Sequence, residues 1–463
     1  MVPMMVAMAF LMEQLDSTIL TTAVPDIARS LKVTPVQMSL AVAAYMLAVG
    51  VFIPISGWFA DRFGARRIFV SALAVFTLGS VLCGLARNFE MLVAMRVVQG
   101  LGGAMMTPVG RLILLRSFPR AELMTAMTYT TLPAIVGPVI GPLLGGILTS
   151  TLSWRWIFYV NLPFGLLGML LAMRFLANTR ETIVARFDFP GFLMVGGGLG
   201  LLQFGMENIS RPIISPWTIA ATIAAALTLL LGFGLYARRI AAPAIDLGLF
   251  RIRSFRVGTL AGGLCRIGMN GVPFLLPLML QLGFGLSPIG SGSITFVGSI
   301  GAVLIRSLIS PILRTHGFRI VLVLSAIIGS AMLAGFALLG PHTSHWLIML
   351  YVFVFGLMRS AQFMTSNTLA YSDMPDSHLS RATSLGGVLQ QLSVSFGVSV
   401  SAVLLSLVSL PSHVLTPARF HEAFLLMAAI PLLALPGFMA LAPQDGGKIT
   451  GRGKTIAELE GQD

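Results

Sequence analysis

Charge is what this 463-residue chain has least of. Asp, Glu, Lys and Arg make up 10% of it, against roughly 25% in a soluble globular protein. Its two cysteines, Cys83 and Cys265, each lie inside an apolar run, so neither a disulfide framework nor a cysteine metal site is implied. The six histidines (His316, His342, His345, His378, His413 and His421) fall in loops or at the ends of apolar runs. The convergent cluster that a membrane-embedded enzyme needs is therefore missing. A glycine-rich phosphate loop ending in Lys-Ser/Thr is also missing, and no ATP site is expected. Between apolar runs no stretch exceeds about twenty residues, too few for a soluble domain of roughly 50 residues or more. Any chemistry must occur within the apolar part.

What is present is hydrophobic: 56% of residues, with mean hydropathy +0.90. Apolar runs of about 20 residues recur, the length that crosses some 30 Å of hydrocarbon as a helix, whereas a membrane barrel shows short alternating segments. The expectation is an all-α polytopic membrane protein with fourteen spans, at 3–24, 36–59, 68–86, 90–115, 124–149, 156–177, 188–206, 216–237, 256–281, 288–312, 319–340, 346–371, 382–409 and 420–442. The opening run lacks a basic leader region and is read as the first span, not as a cleaved signal.

The net charge of +13 and pI of about 10.9 would suggest nucleic acid in a soluble chain. Here the basic residues sit in loops and form no patch interleaved with aromatics, so no nucleic-acid partner is expected. With the N-terminus in the cytoplasm, roughly nineteen basic residues fall on the cytoplasmic side and about six on the other. Arg116, Arg120, Arg174, Arg180, Arg186 and the group Arg238, Arg239, Arg251, Arg253 and Arg256 carry the bias. Both termini are then cytoplasmic, and residues 443–463 read as a disordered polar tail.

Within the first run stand two acids, Glu13 and Asp16. A carboxylate near a bilayer centre costs a few kcal/mol or more and marks a functional site by default. At 1.5 Å per residue Asp16 lies roughly 13 Å, and Arg96 of the fourth span roughly 10 Å, below the same membrane face, so the two can pair. Asp16 is the expected proton acceptor, Arg96 its partner, and Glu13 a group that shares the proton or meets substrate. The alternative is that the acids only neutralise buried arginines.

Residues 57–67 read Gly-x-x-x-Asp-Arg-x-Gly-x-Arg-Arg, comprising Gly57, Asp61, Arg62, Gly64, Arg66 and Arg67. Gly57 and Gly64 permit a tight turn, and Asp61 with the arginines can exchange ion-pair partners as a latch. This stretch resembles the loop between helices two and three of the major facilitator superfamily. Arg96 to Ala104 is similar to that superfamily's helix-four motif. Gly137, Pro138, Gly141, Pro142, Gly145 and Gly146 resemble its antiporter motif, in which glycines at four-residue spacing let a neighbouring helix approach and prolines bend the helix. Leu15 to Pro25 and Trp154 to Gly165 resemble fourteen-helix drug:proton antiporters of the EmrB/QacA type. Gly102 to Arg111 and Gln390 to Ser393 are similar to the MdtD-like members.

The resemblance implies two six-helix bundles, 1–180 and 241–442, a two-helix insert at 181–240, and proton-coupled export of small amphipathic compounds or drugs across a bacterial inner membrane. It implies a monomer with no cofactor, driven by the proton gradient. A weak repeat supports the two halves: placing Gly64 on Gly317 puts Arg66 on Arg319, while Arg314 takes the place of Asp61. The second half offers Arg266, Asn270, Arg359, Gln362, Asn367 and Gln390 as a candidate cavity. Its arginines keep a second reading open, transport of one anionic or zwitterionic metabolite, and a non-transporting receptor or scaffold is a third. Arg111 and Arg306 are expected to snorkel to headgroups, and Glu207 and Asn208 to lie at the interface.

Overall fold

The computed structural model describes residues 2–118, 120–178, 187–209, 214–240, 243–410, 414–442 and 445–447, without the side chains of 120–129, 131–135, 376, 377 and 380. Among the described residues every regular element is helical. In chain order these are α1 Val2–Leu31, α2 Ser39–Phe63, α3 Ala65–Gly84, α4 Phe89–Ser117, α5 Arg120–Thr151, α6 Trp156–Tyr159, α7 Asn161–Phe175, α8 Phe189–Asn208, α9 Pro216–Ala237, α10 Arg253–Arg256, α11 Gly262–Asn270, α12 Val272–Leu278, α13 Pro288–Gly335, α14 His345–Ser372, α15 Asp376–Val408, α16 Pro417–Leu432 and α17 Leu435–Met439.

Local chemistry sets several of the ends. Asn88 accepts from the Met91 amide (2.8 Å), Asp188 from Gly191 (2.9 Å) and Ser287 from Gly290 (3.1 Å), each satisfying an amide that the first turn leaves open. Among the described residues, eleven helical stretches are long and apolar enough to cross a membrane. The expected spans at 288–312 and 319–340 lie in one of them, where α13 is broken only by Gly317. Gly64 (φ +98°) joins α2 to α3 and Gly317 (φ +77°) interrupts α13, so the repeat read from the sequence uses the same left-handed glycine at both places.

Within the first half α1 packs on α5, and α4 on α2 and α3; in the second, α13 packs on α14. The halves meet where α2 lies against α15 and α5 against α13. Gln281 donates to the Thr22 carbonyl (2.9 Å), Ser395 to that of Ala43 (3.1 Å) and Ser299 to that of Pro138 (2.9 Å). These contacts gather toward the end of the bundle that carries Thr22, Ser39 and Pro288, and the halves are in contact there.

The insert is asymmetric. On α9, Trp217, Leu231 and Leu235 are exposed and few residues are covered, as befits a helix turned to hydrocarbon. Helix α8 instead packs on α2 and α15. Glu207 and Asn208 are buried there, which corrects the interfacial placement. Ser39 of α2 donates to Glu207 (2.6 Å), Gln203 donates to Glu207 (3.2 Å) and to Ser399, and Ser395 donates to Gln203 (3.4 Å). The chain end of α8 is thus a polar tie between the two halves, with partners supplied by helices distant in sequence. The start of the tail is also held in place: Gly446 donates to Asp373 (3.2 Å) and Arg253 lies 3.4 Å from Asp445. Arg180, Arg186 and the tail beyond residue 447 lie outside the described residues.

Candidate functional site

Asp16 and Arg96, each 1% exposed, form an ion pair at 2.5 Å between α1 and α4. Three polar side chains complete the enclosure. Gln99, three residues along α4 from Arg96, donates to Asp16 Oδ1 (2.7 Å) and accepts from Arg96 (2.8 Å). Asn161, the first residue of α7, donates to Asp16 Oδ1 (3.3 Å) and to Ser80 (3.1 Å). Arg96 Nε donates to the Ala41 carbonyl of α2 (3.2 Å), and its guanidinium lies over the Tyr45 ring at 4.2 Å. Side chains of α4 and α7 thus meet the carboxylate, α2 holds its cation and Ser80 of α3 holds Asn161, so five helices share one network. A buried pair is weak evidence for stability in itself, because desolvation offsets its attraction, but removing one partner strands a charge at about 3–5 kcal/mol.

Glu13, one helical turn away, accepts a short hydrogen bond from Thr107 of α4 and does not join the Asp16 pair directly. Arg111, one turn beyond Thr107, lies within electrostatic reach of Glu13 and of Tyr371 on α14. Its side chain is exposed, as is that of Arg306.

The 57–67 loop keeps its acid but not its expected partners. Asp61 pairs with Arg116 at the end of α4 (2.9 Å). Arg62 instead lies over the Trp58 ring at 5.6 Å, and the Arg67 amide donates to Asn178 (3.4 Å). Gly57 sits inside α2 with open space beside it, so the turn belongs to Gly64 alone. A partly exposed pair stabilises by only about 0–1 kcal/mol. The expected result is that Asp61→Asn leaves thermal stability unchanged but slows transport about 10-fold, and that the swap Asp61→Arg with Arg116→Asp restores part of the rate. A swap no better than either single change would remove the pairing role.

The glycine–proline stretch of α5 presents two faces. Side chains at Gly137, Gly141 or Gly145 would overlap Gln14, Thr18, Ile19 or Thr22 of α1, while one at Gly146 would overlap the Pro288 backbone of α13. A Cβ on Gly292 of α13 would in turn stand 2.5 Å from the Pro142 carbonyl. One motif thereby fixes the helix that carries Asp16 and also forms part of the contact between halves. Close approach of this kind requires small residues.

In the second half the structure brings together Arg266, Asn270 and Arg359. Arg359 donates to Asn270 (3.2 Å), and Arg266 stacks on Phe363 at 4.7 Å. Gln362 turns to Ser366 in its own helix (3.0 Å), an intrahelical bond instead of the expected cavity position. Asn367 and Gln390 are half-buried on α14 and α15 and make no hydrogen bond with this group. Sequence reasoning passed over Gln99, Asn161 and Tyr45 as site residues. The signal for two of them lay in the chain: Gln99 shares the face of Arg96 at i, i+3, and Asn161 is a lone amide at the head of an apolar run. Arg155, from the same stretch as Asn161, clamps the carbonyls of Gly84 (2.5 Å) and Ala86 (2.8 Å) at the end of α3.

A profile of the Major Facilitator Superfamily matches residues 6–398 and 258–459. A Pectobacterium carotovorum protein that carries the name multidrug resistance protein MdtD is 39% identical over 436 residues, covering 94% of this chain and 93% of its own. One of the same name from Salmonella heidelberg is 38% identical over 449 residues, covering 95% and 94%. Among solved structures, a D-xylose-proton symporter superposes with a TM-score of 0.69 at 13% identity over 96% of this chain and 98% of its own. A POT peptide transporter in complex with sulfate gives 0.71 at 14% identity over 97% and 96%. At such identities these two likenesses concern the fold.

Proposed function

Because this chain belongs to the Major Facilitator Superfamily, and so is a multi-pass membrane transporter of small molecules, we propose that it exports amphipathic compounds in exchange for protons by alternating access. The carrying observation is the Asp16–Arg96 pair, sealed in the first half and held by residues from four helices. Protonation of Asp16 cancels its charge and leaves Arg96 with neutral partners, which favours a rearrangement of α1 against α4. Glu13, nearer the space between the halves, hands protons to and from Asp16. The bundles 1–180 and 241–442 rock about a midplane cavity, and Asp61 with Arg116 marks one of the end states. The relatives' name, multidrug resistance protein, supports a substrate range that includes drugs. The excess of Arg on one side of the spans supports cytoplasmic termini in a bacterial inner membrane.

The decisive measurement is proteoliposome flux. An imposed pH gradient is expected to drive uphill movement of ethidium or of an organic anion, with proton movement in the opposite sense. Flux of equal size with and without the gradient would remove the coupling while leaving the transporter intact. The non-transporting reading requires no flux of any compound tested.

A further inference from the structure

Among the described residues, two cations in the second half have no carboxylate partner. Arg266 is 4% exposed, its Nε makes no hydrogen bond, and an aromatic ring is the group its guanidinium covers. Arg359 has the amide oxygen of Asn270. Positions 266 and 270 are i, i+4 on α11, and 359 and 363 are i, i+4 on α14. The two contacts are therefore neighbouring rungs about 6 Å apart, with the guanidinium groups on opposite sides of the ladder.

Acids described elsewhere are engaged elsewhere: Asp16 with Arg96, Glu13 with Thr107, Asp61 with Arg116, Glu207 with Ser39 and Gln203, and Asp373 with the Gly446 amide. A ring face and a single amide dipole leave both positive charges uncompensated at membrane depth, where cations pair or line a cavity. Arg111 of the facing half adds a third positive charge, because it and Arg266 both lie within electrostatic reach of Tyr371. Glu13 is the acid that balances Arg111.

We infer that Arg266 and Arg359 form an anion subsite that takes the carboxylate, or a comparable oxyanion, of an organic substrate. The planar guanidinium fork matches a carboxylate with two parallel hydrogen bonds, which an ammonium does not reproduce. Asn270 positions Arg359, and Phe363 holds Arg266 flat and supplies an apolar wall beside the charge. The substrate class is an organic anion or zwitterion with an apolar body. A lipophilic cation meets no acid at this end of the cavity and binds, if at all, toward Glu13. The inference rests on the transporter reading and names the substrate class of its cavity.

The test is equilibrium binding to the purified full-length protein in detergent, read by fluorescence anisotropy, with dansylglycine against its uncharged amide. The two probes share ring and size and differ in the carboxylate, and protein-free micelles correct for partition. Dansylglycine is expected to bind at least about 10-fold more tightly than the amide. Arg266→Gln and Arg359→Gln each remove that preference without changing the amide's affinity, and Arg266→Lys recovers part of it. Gel filtration establishes that each variant is folded, and the comparison of the two probes on the unaltered protein needs no variant. Equal affinities, or saturable binding of neither probe, overturn the inference. Because no gradient is applied, a carboxylate preference without gradient-driven flux refutes proton coupling and leaves the subsite standing. Gradient-driven flux without a carboxylate preference does the reverse.

Discussion

Asp16→Asn is expected to cut gradient-driven transport at least about 100-fold while equilibrium binding of substrate survives. Asparagine matches the carboxylate in size and its oxygen still accepts from Gln99 and Asn161, but its amide nitrogen then faces the Arg96 guanidinium, which loses its acceptor. What is lost is the ability to exist in two charge states, and the protein is held in the state that protonated Asp16 would adopt. Arg96→Ala makes the complementary change. It leaves a carboxylate 1% exposed without its cation, a loss of about 3–5 kcal/mol, and the protein should aggregate at markedly lower temperature in detergent. Both variants strand a buried charge and lose stability, but Arg96→Ala keeps a group at position 16 that can change its charge and Asp16→Asn does not, so transport at a fixed pH gradient separates them. If Asp16→Asn accumulates substrate against a gradient as well as the unaltered protein does, Asp16 is a structural counter-ion and the proton site lies elsewhere.

The second large effect concerns the two faces of α5. A side chain at Gly145 overlaps the Ile19 carbonyl of α1, and backbone cannot swing aside as a long side chain can. Overpacking costs about 1–3 kcal/mol and is relieved by moving α1 away. Because α1 also carries Asp16, whose pair with Arg96 is 2.5 Å long, a displacement of about 1 Å degrades the proton site. Gly145→Leu is expected to lower transport about 10- to 100-fold and to reduce the folded yield. Gly146→Leu overlaps Pro288 of the other half, so it acts on the contact between halves and leaves α1 in place. The measurement that separates them is labelling of a cysteine introduced at position 18, toward the end where the halves are in contact. Labelling should rise in Gly146→Leu, which props that end open, and less so in Gly145→Leu. Identical labelling of the two would show that the faces do not act separately.

The sequence was legible where a single physical constraint operates. A lipid-exposed backbone must satisfy its own hydrogen bonds, so the apolar runs could only be helices, and their all-α class followed from length alone. Helices rise at a constant rate, and that rate by itself places Asp16 and Arg96 at one depth. Gly64 and Gly317 were legible as equivalent positions because only glycine enters the left-handed region without strain.

Where a partner depends on how helices rotate and which of them are neighbours, the sequence was silent. Asp61 has three arginines within six residues, yet it meets Arg116, because it lies in the last turn of α2, which packs on α4 beside the last turn of that helix. Glu207 lies near the end of an apolar run, where depth suggests water. The packing of α8 against α2 and α15 buries it on Ser39 and Gln203 instead. Arg111 is close to a helix end by count and is exposed, yet the packing of α4 brings it within electrostatic reach of Glu13 and Tyr371.

Composition, periodicity and motif thus determined that this chain is an all-helical membrane protein of the major facilitator type with an acid pair in its first helix. They also determined which helices must approach closely, since four-residue glycine spacing has a direct steric meaning. Tertiary structure alone decided the partners: Gln99, Asn161 and Tyr45 around Asp16 and Arg96, Arg116 for Asp61, and no acid for Arg266. The reason is geometric. Depth along a helix is a property of the chain, whereas azimuth and neighbour are properties of the packed bundle, and electrostatic pairing in a low-dielectric interior depends on all three.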